Sequence, residues 1–243
     1  MNEAYIPAII TASVALIAAT GAQILNHILS INRSKKERND EIYQEFIFPF
    51  LSEVLLYYST ETSFRKDHDV EKEVDIDSLL SRISEKASYG NMKLLSCYYN
   101  IIKSDYFFDA RGYSKERETL RFMFWYLDYV RGIISKKNPI DEDVLTEVKK
   151  IQKLYGIWIL TAEEIEFPLS IEFMKYDVFL DNNFLFELDI NLLKELVDCN
   201  SFLNERRANL LKIIIKEIKL NINKKFKALE ELEGHLLEYY GIK

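Results

Sequence analysis

The residues of this chain best suited to hold an anion are three arginines on one predicted helix. Arg117, Arg121 and Asp128 share a face of the stretch Lys115 to Ser135, with Arg131 nearby and Trp125 and Tyr126 among them. A half-buried guanidinium requires an anionic partner. Either the chain's many acidic residues pair with these arginines, or the guanidinium groups hold a phosphate while Trp125 or Tyr126 stacks on a base.

No other set of side chains points to a reaction. His27, His68 and His235 are spread over an apolar run, a charged stretch and the terminal helical pattern, so none pairs with another at helix-ligand spacing and no zinc site is expected. Phosphate loops, nucleophile elbows and zincin motifs are absent. The acidic clusters Asp141, Glu142, Asp143 and Glu163, Glu164, Glu166 read as helix starts or solvated faces. Cys97 and Cys199 each sit in an apolar helical pattern and are expected to be reduced. The chain therefore reads as a non-enzyme without a metal or cofactor.

The elements that would position any site begin with the first 32 residues. Tyr5 to Leu25 is uncharged and apolar, and no charged side chain occurs between Glu3 and Arg33. As a helix that run is about 30 Å long, enough to cross a hydrocarbon core. A signal peptide would carry basic residues ahead of a shorter apolar core, and here only Glu3 precedes it. The basic residues Arg33, Lys35, Lys36 and Arg38 follow instead. The positive-inside rule then puts the N-terminus outside and the rest in the cytoplasm, on the inner (plasma) membrane, with the basic side chains at the lipid surface.

Seven of the twelve alanines fall in this N-terminal stretch, and Ala8, Ala12, Ala15, Ala19 and Ala22 are spaced by four, three, four and three. Small residues on a 3.5-residue period let helix backbones approach closely, so the span reads as an oligomerisation element, most simply of a parallel homo-oligomer. Asn26 continues the seam, flanked by Gln23 and Ser30. These polar groups either fix register by interhelical hydrogen bonds or ring a narrow water-filled path.

Beyond residue 32 lie all 32 basic residues and all but one of the 39 acidic ones. That acidic balance argues against binding double-stranded DNA. With only 7 glycines and 4 prolines, and apolar residues recurring at three and four spacings, this part is expected to be all-α. Residues 33–60 read as a basic juxtamembrane and coupling helix kinked at Pro49, a hinge or a simple bend. Phe46 to Leu51 could rest on the membrane surface. Residues 61–243 read as a helical domain: Ile76 to Ser88, Asn91 to Phe108, Lys115 to Ser135 capped by Ser114 and apolar nearly all round, a helix from about Asp141 to Leu160, then Ile171 to Leu180, Ile190 to Cys199, and one long amphipathic helix from Phe202 to about Tyr239. The last carries the basic cluster Lys216, Lys219, Lys224, Lys225 and Lys227, a solvated face, an oligomer contact or an anion-binding surface.

One apolar span from Ile6 to Ile31, the basic stretch Arg33 to Arg38 and a helical cytoplasmic domain without catalytic residues together resemble the membrane effectors of bacterial anti-phage systems that use nucleotide signals, of the Hailong, Pycsar and CBASS types. The resemblance implies an oligomer whose cytoplasmic domain senses a nucleotide or oligonucleotide and whose spans form a channel or disrupt the membrane. The expectation is thus a homo-oligomeric membrane effector, with itself and membrane lipid as partners. A membrane-tethered scaffold without pore activity is the competing reading.

Overall fold

Apolar side chains at three- and four-residue spacing bury one stripe of a helix at a time, and helix is what the chain forms. The computed structural model describes residues 5–107, 112–136, 142–180, 182–199, 204–221 and 226–241, and among them there is no strand. The chain divides into two units, Met1–Gln44 and Glu45–Lys243.

The first unit is dominated by α1 (Tyr5–Ile42), a single uninterrupted helix of 38 residues. At 1.5 Å per residue it is about 57 Å long, so it outruns a hydrocarbon core by several turns and carries the basic cluster Arg33 to Arg38 on the same rod. A π-helical turn, Tyr43–Ile47, follows it.

The second unit is a helical bundle. Pro49 lacks an N–H, and the helical path is interrupted at 48–50 before α2 (Leu51–Glu61) begins. Tyr126 repairs the break: its hydroxyl donates to the Phe46 carbonyl at 2.8 Å, which Phe50 N would otherwise have reached had the helix continued. Phe46, Ile47 and Phe50 are buried in this core, so the expected membrane-surface role of Phe46 to Leu51 is corrected; Phe48 and Pro49 stay exposed. A short helix α3 (Lys66–Asp69) lies in the charged stretch, followed by α4 (Ile76–Glu85), capped by Asp75, and α5 (Met92–Ser104), capped by Asn91.

Two helices form the centre. In α6 (Ser114–Ile134) Leu120, Phe122, Met123, Phe124, Tyr126, Leu127 and Val130 are buried, and α7 (Glu142–Glu164) is buried continuously from Leu154 to Ala162. Apolar residues all round a helix leave no face for water, so these two pack on each other and the rest surround them. Gly156 permits the close approach, since a Cβ there would sit 3.2 Å from Phe124 of α6 and from Leu193. Ser114 is not the cap of α6 as expected but its first residue; Tyr113 precedes it in the left-handed region at φ 62°, held by stacking on Phe167 at 5.9 Å.

The bundle is completed by α8 (Phe167–Met174), α9 (Asn182–Glu187), α10 (Ile190–Asp198), α11 (Glu205–Asn221) and α12 (Lys227–Tyr240). The expected single helix from Phe202 to Tyr239 is corrected to the pair α11 and α12, which pack against each other, with Lys219 paired to Glu233. Two shorter helices bury Leu211, Ile214 and Ile218 as well as Leu229, Leu232 and Leu236, which a continuous rod could not bring to one small core.

Candidate functional site

In α1 the described side chains of the apolar run are all exposed, among them Leu16 at 69% and Ile17 at 72%. Ile10, Val14, Leu16, Ile17, Ile24, Leu25, Ile28 and Leu29 are large apolar groups left uncovered. Covering each would be worth about 1.5–3 kcal/mol, and together that is at least comparable to the roughly 5–15 kcal/mol that keeps a domain folded. Among the described residues, this is the one helix long and apolar enough to cross a membrane.

Along the predicted seam, Ala15, Ala19, Ala22, Gln23, Asn26 and Ser30 are exposed, while the side chains of Ala8 and Ala12 lie outside those described. Polar groups on α1 are handled in two ways. Thr20 donates to the Leu16 carbonyl at 2.8 Å and needs no outside partner. Gln23 and Asn26 have no such bond within the described residues, so their amides must be met by water, lipid headgroups or another chain. The basic residues Arg33, Lys35, Lys36 and Arg38 are exposed, and Arg38 pairs with Glu41 at 3.1 Å.

Of the α6 arginines, Arg121 and Arg131 are brought to carboxylates and Arg117 to a backbone carbonyl. Arg121 pairs with Glu118 and with Glu163 of α7. Arg117 donates to the Gly112 carbonyl at 2.8 Å, and Arg131 donates to Asp128 at 2.8 Å. Trp125 is covered by Lys93 and Lys194, with ammonium-to-ring distances of 4.6 and 5.9 Å, and Tyr126 is spent on Phe46. Of the two readings of this helix, the arrangement favours ion pairing.

Glu164 corrects the view of its acidic cluster as a solvated face. It is buried and receives Arg207 at 3.1 Å and the Tyr240 hydroxyl at 3.2 Å, and His235 Nδ1 lies 3.2 Å away. Burial pushes its carboxyl above the ordinary value, while Arg207 and His235 pull it back. This cluster ties α7 to the α11–α12 pair, a structural role. Asp141, Lys224 and Lys225 lie outside the described residues. Cys97 is free and buried, and burial pushes its thiol up to about 11, which leaves it inert.

Sequence reasoning missed two cavities. The first, about 730 Å³, lies beside Tyr58, whose hydroxyl donates to Asp177 at 2.6 Å; burial pushes the Asp177 carboxyl up. The second, about 780 Å³, is walled by Arg131 of α6, by Lys149, Lys150, Gln152 and Lys153 of α7 and by the segment Leu185 to Ile190. Lys153 donates to the carbonyls of Leu185 and Phe186 at 2.6 and 2.8 Å and so pins that segment. Burial, with Lys149 and Arg131 close by, holds its ammonium below the ordinary value against the pull of Asp189. The spacing Lys149, Lys150, Lys153 was the available signal, but only the fold sets Arg131 and Phe186 beside it. Among the described residues no group of side chains is arranged to hold a metal ion.

Compared with known protein families, curated proteins and solved structures, the chain matches none. Its function must be argued from its own residues.

Proposed function

We propose that the chain is a single-pass membrane protein whose α1 self-associates through the face bearing Ala15, Ala19, Ala22 and Asn26, and whose helical domain controls a conducting or membrane-perturbing assembly. In this reading the helical domain is cytoplasmic, the N-terminus lies outside the inner membrane, and Arg33, Lys35, Lys36 and Arg38 meet anionic headgroups. A role in bacterial anti-phage defence is the setting that the resemblance supplies.

The observation that carries the reading is the sorting of α1. Its large apolar groups are exposed, as lipid requires, while the small-residue face ends in two amides with no hydrogen-bond partner in the described residues. A helix alone in lipid gains nothing from such sorting, because lipid tails solvate Ala and Ile about equally well. Packed helices gain close backbone contact, and each interhelical amide bond adds about 0.6–2 kcal/mol.

Ala15→Leu places a large group on the contact face and is expected to reduce oligomer size in mild detergent. Asn26→Leu is expected to change ion leakage from cells that express the protein. An unchanged oligomer with Ala15→Leu and unaltered leakage with Asn26→Leu would refute the assembly. Exchange of α1 residues 5–31 for an unrelated apolar helix separates the effector from the tethered scaffold: the effector loses membrane depolarisation, and a scaffold keeps its function.

A further inference from the structure

In a chain of net charge −7, the 780 Å³ cavity gathers four cations, Arg131, Lys149, Lys150 and Lys153, against two acids, Glu187 and Asp189. Of the two acids, Asp189 acts on Lys153. Asp189 also caps α10, accepting from Asn191 N at 2.9 Å, and Lys149 and Lys150 are exposed with no carboxylate at ion-pair distance among the described residues, Lys150 acting at longer range on Asp177. The inner wall is also polar and incomplete. Gln152 is fully buried, its amide orientation set by donation from Nε2 to Asp128 at 3.1 Å, and its Oε1 has no partner; Arg131 Nε, beside it, has none either. A buried donor left unmet costs about 1–3 kcal/mol, and of these two atoms Arg131 Nε is the one an anion can meet, whereas the Gln152 oxygen calls for a donor.

The charge of the lining defines the class of ligand. A lining excess of two positive charges matches a dianion, and a phosphate monoester carries about −1.5 to −2 at neutral pH. Carboxylates are best recognised by a bidentate guanidinium, but the only arginine here is engaged by Asp128. The remaining cations are lysines, point charges that suit the tetrahedral phosphate. The opposite wall, from Leu185 to Ile190, presents Leu185, Phe186, Leu188 and Ile190 beside the two acids, and Phe186 stands 86% exposed at its edge. A volume of about 780 Å³ is in the range of sites for small organic molecules.

We propose that the cavity between α6, α7 and the Leu185–Ile190 segment binds a small phosphate monoester with an apolar body, the phosphate on Lys149 and Lys150 and the body on Phe186. The site belongs to the Glu45–Lys243 unit and does not depend on how α1 assembles.

The test is isothermal titration of the detergent-solubilised full chain with phenyl phosphate, inorganic phosphate and, at matched ionic strength, sodium chloride. Saturable binding of phenyl phosphate, weaker binding of inorganic phosphate and none of chloride is expected. Lys149→Glu with Lys150→Glu should weaken phenyl phosphate at least about tenfold, and Lys149→Glu alone, which leaves the attraction of Lys150 for Asp177 in place, should weaken it without lowering the melting temperature. Phe186→Ala should bring phenyl phosphate down to the level of inorganic phosphate. Absence of saturable binding by either phosphate, or undiminished binding by the double lysine variant, overturns the site; an unaltered ratio of the two phosphates in Phe186→Ala overturns the placement of the apolar body.

Discussion

Replacing Arg207 with methionine tests the buried centre that joins α7 to the C-terminal helix pair. The guanidinium and the Glu164 carboxylate are 3% and 2% exposed and 3.1 Å apart, and Arg207 also donates to the Cys199 carbonyl at 3.2 Å. Methionine fills much of the volume but leaves the buried carboxylate without the guanidinium, with His235 Nδ1 at 3.2 Å and the Tyr240 hydroxyl as its remaining partners. Loss of one partner of such a pair costs about 3–5 kcal/mol. For a domain of this size that is about 2–4 °C per kcal/mol, a fall in melting temperature of roughly 6–20 °C near neutral pH. The pH dependence has a definite sign. The Glu164 carboxyl is already raised in the folded state, so the fold holds its proton more tightly than the unfolded chain does, and stability falls as pH rises through that window. Without Arg207 the carboxyl rises further and the window widens, so the deficit of the variant should be largest at neutral pH and shrink by up to about 1.4 kcal/mol per unit as the solution is acidified. Circular-dichroism melts of the full chain in detergent between neutral and mildly acidic pH read this directly. Glu164→Leu combined with Arg207→Met should recover most of the loss, because two apolar groups leave no uncompensated charge. A deficit that is small at neutral pH, or that stays constant with pH, or a double variant as unstable as the single one, would refute the reasoning.

Two further changes probe the centre of the bundle. Asp128 receives Lys194 at 2.7 Å, Arg131 at 2.8 Å and Gln152 at 3.1 Å. Burial works to raise its carboxyl, but these hydrogen bonds outweigh it and hold the group below its ordinary value. Its contribution is therefore present above the ordinary carboxylate range and lost as pH falls through the lowered one. Asp128→Asn should cost about 2 kcal/mol at neutral pH, and the gap to the parent chain should close in acid melts below roughly pH 4. Tyr126→Phe deletes the hydroxyl that satisfies the Phe46 carbonyl at the Pro49 break; a loss of about 1–2 kcal/mol, seen as a lower urea midpoint with unchanged slope, is expected.

Helical periodicity and the distribution of charge made much of this architecture legible. The uncharged run ahead of Arg33 marks α1, and the all-round apolar composition of Leu120 to Val130 marks a central helix. Asp75 and Asn91 cap helices as their residue types favour. The α11–α12 pair was hidden because Leu211, Ile218, Leu229 and Leu236 keep one phase through both helices, with no glycine or proline between residues 221 and 227. Glu164 was hidden because its partners lie 43 and more positions away, at Arg207, His235 and Tyr240. The basic cavity escaped for the same reason: α6, α7 and Phe186 meet only in three dimensions. Short-range patterns report which face of a helix is apolar, not which distant charge it will meet.

The unbroken course of α1 past its apolar part has a consequence for angular phase. A straight α-helix turns about 100° per residue, so the azimuth of the alanine face is locked to that of Ile42 by every residue between them. Lengthening the 33–42 segment by a single residue would swing that face by about 100°, whereas seven residues would return it to within about 20° of where it began. Spacing along this rod is thus a rotational coordinate as much as a distance.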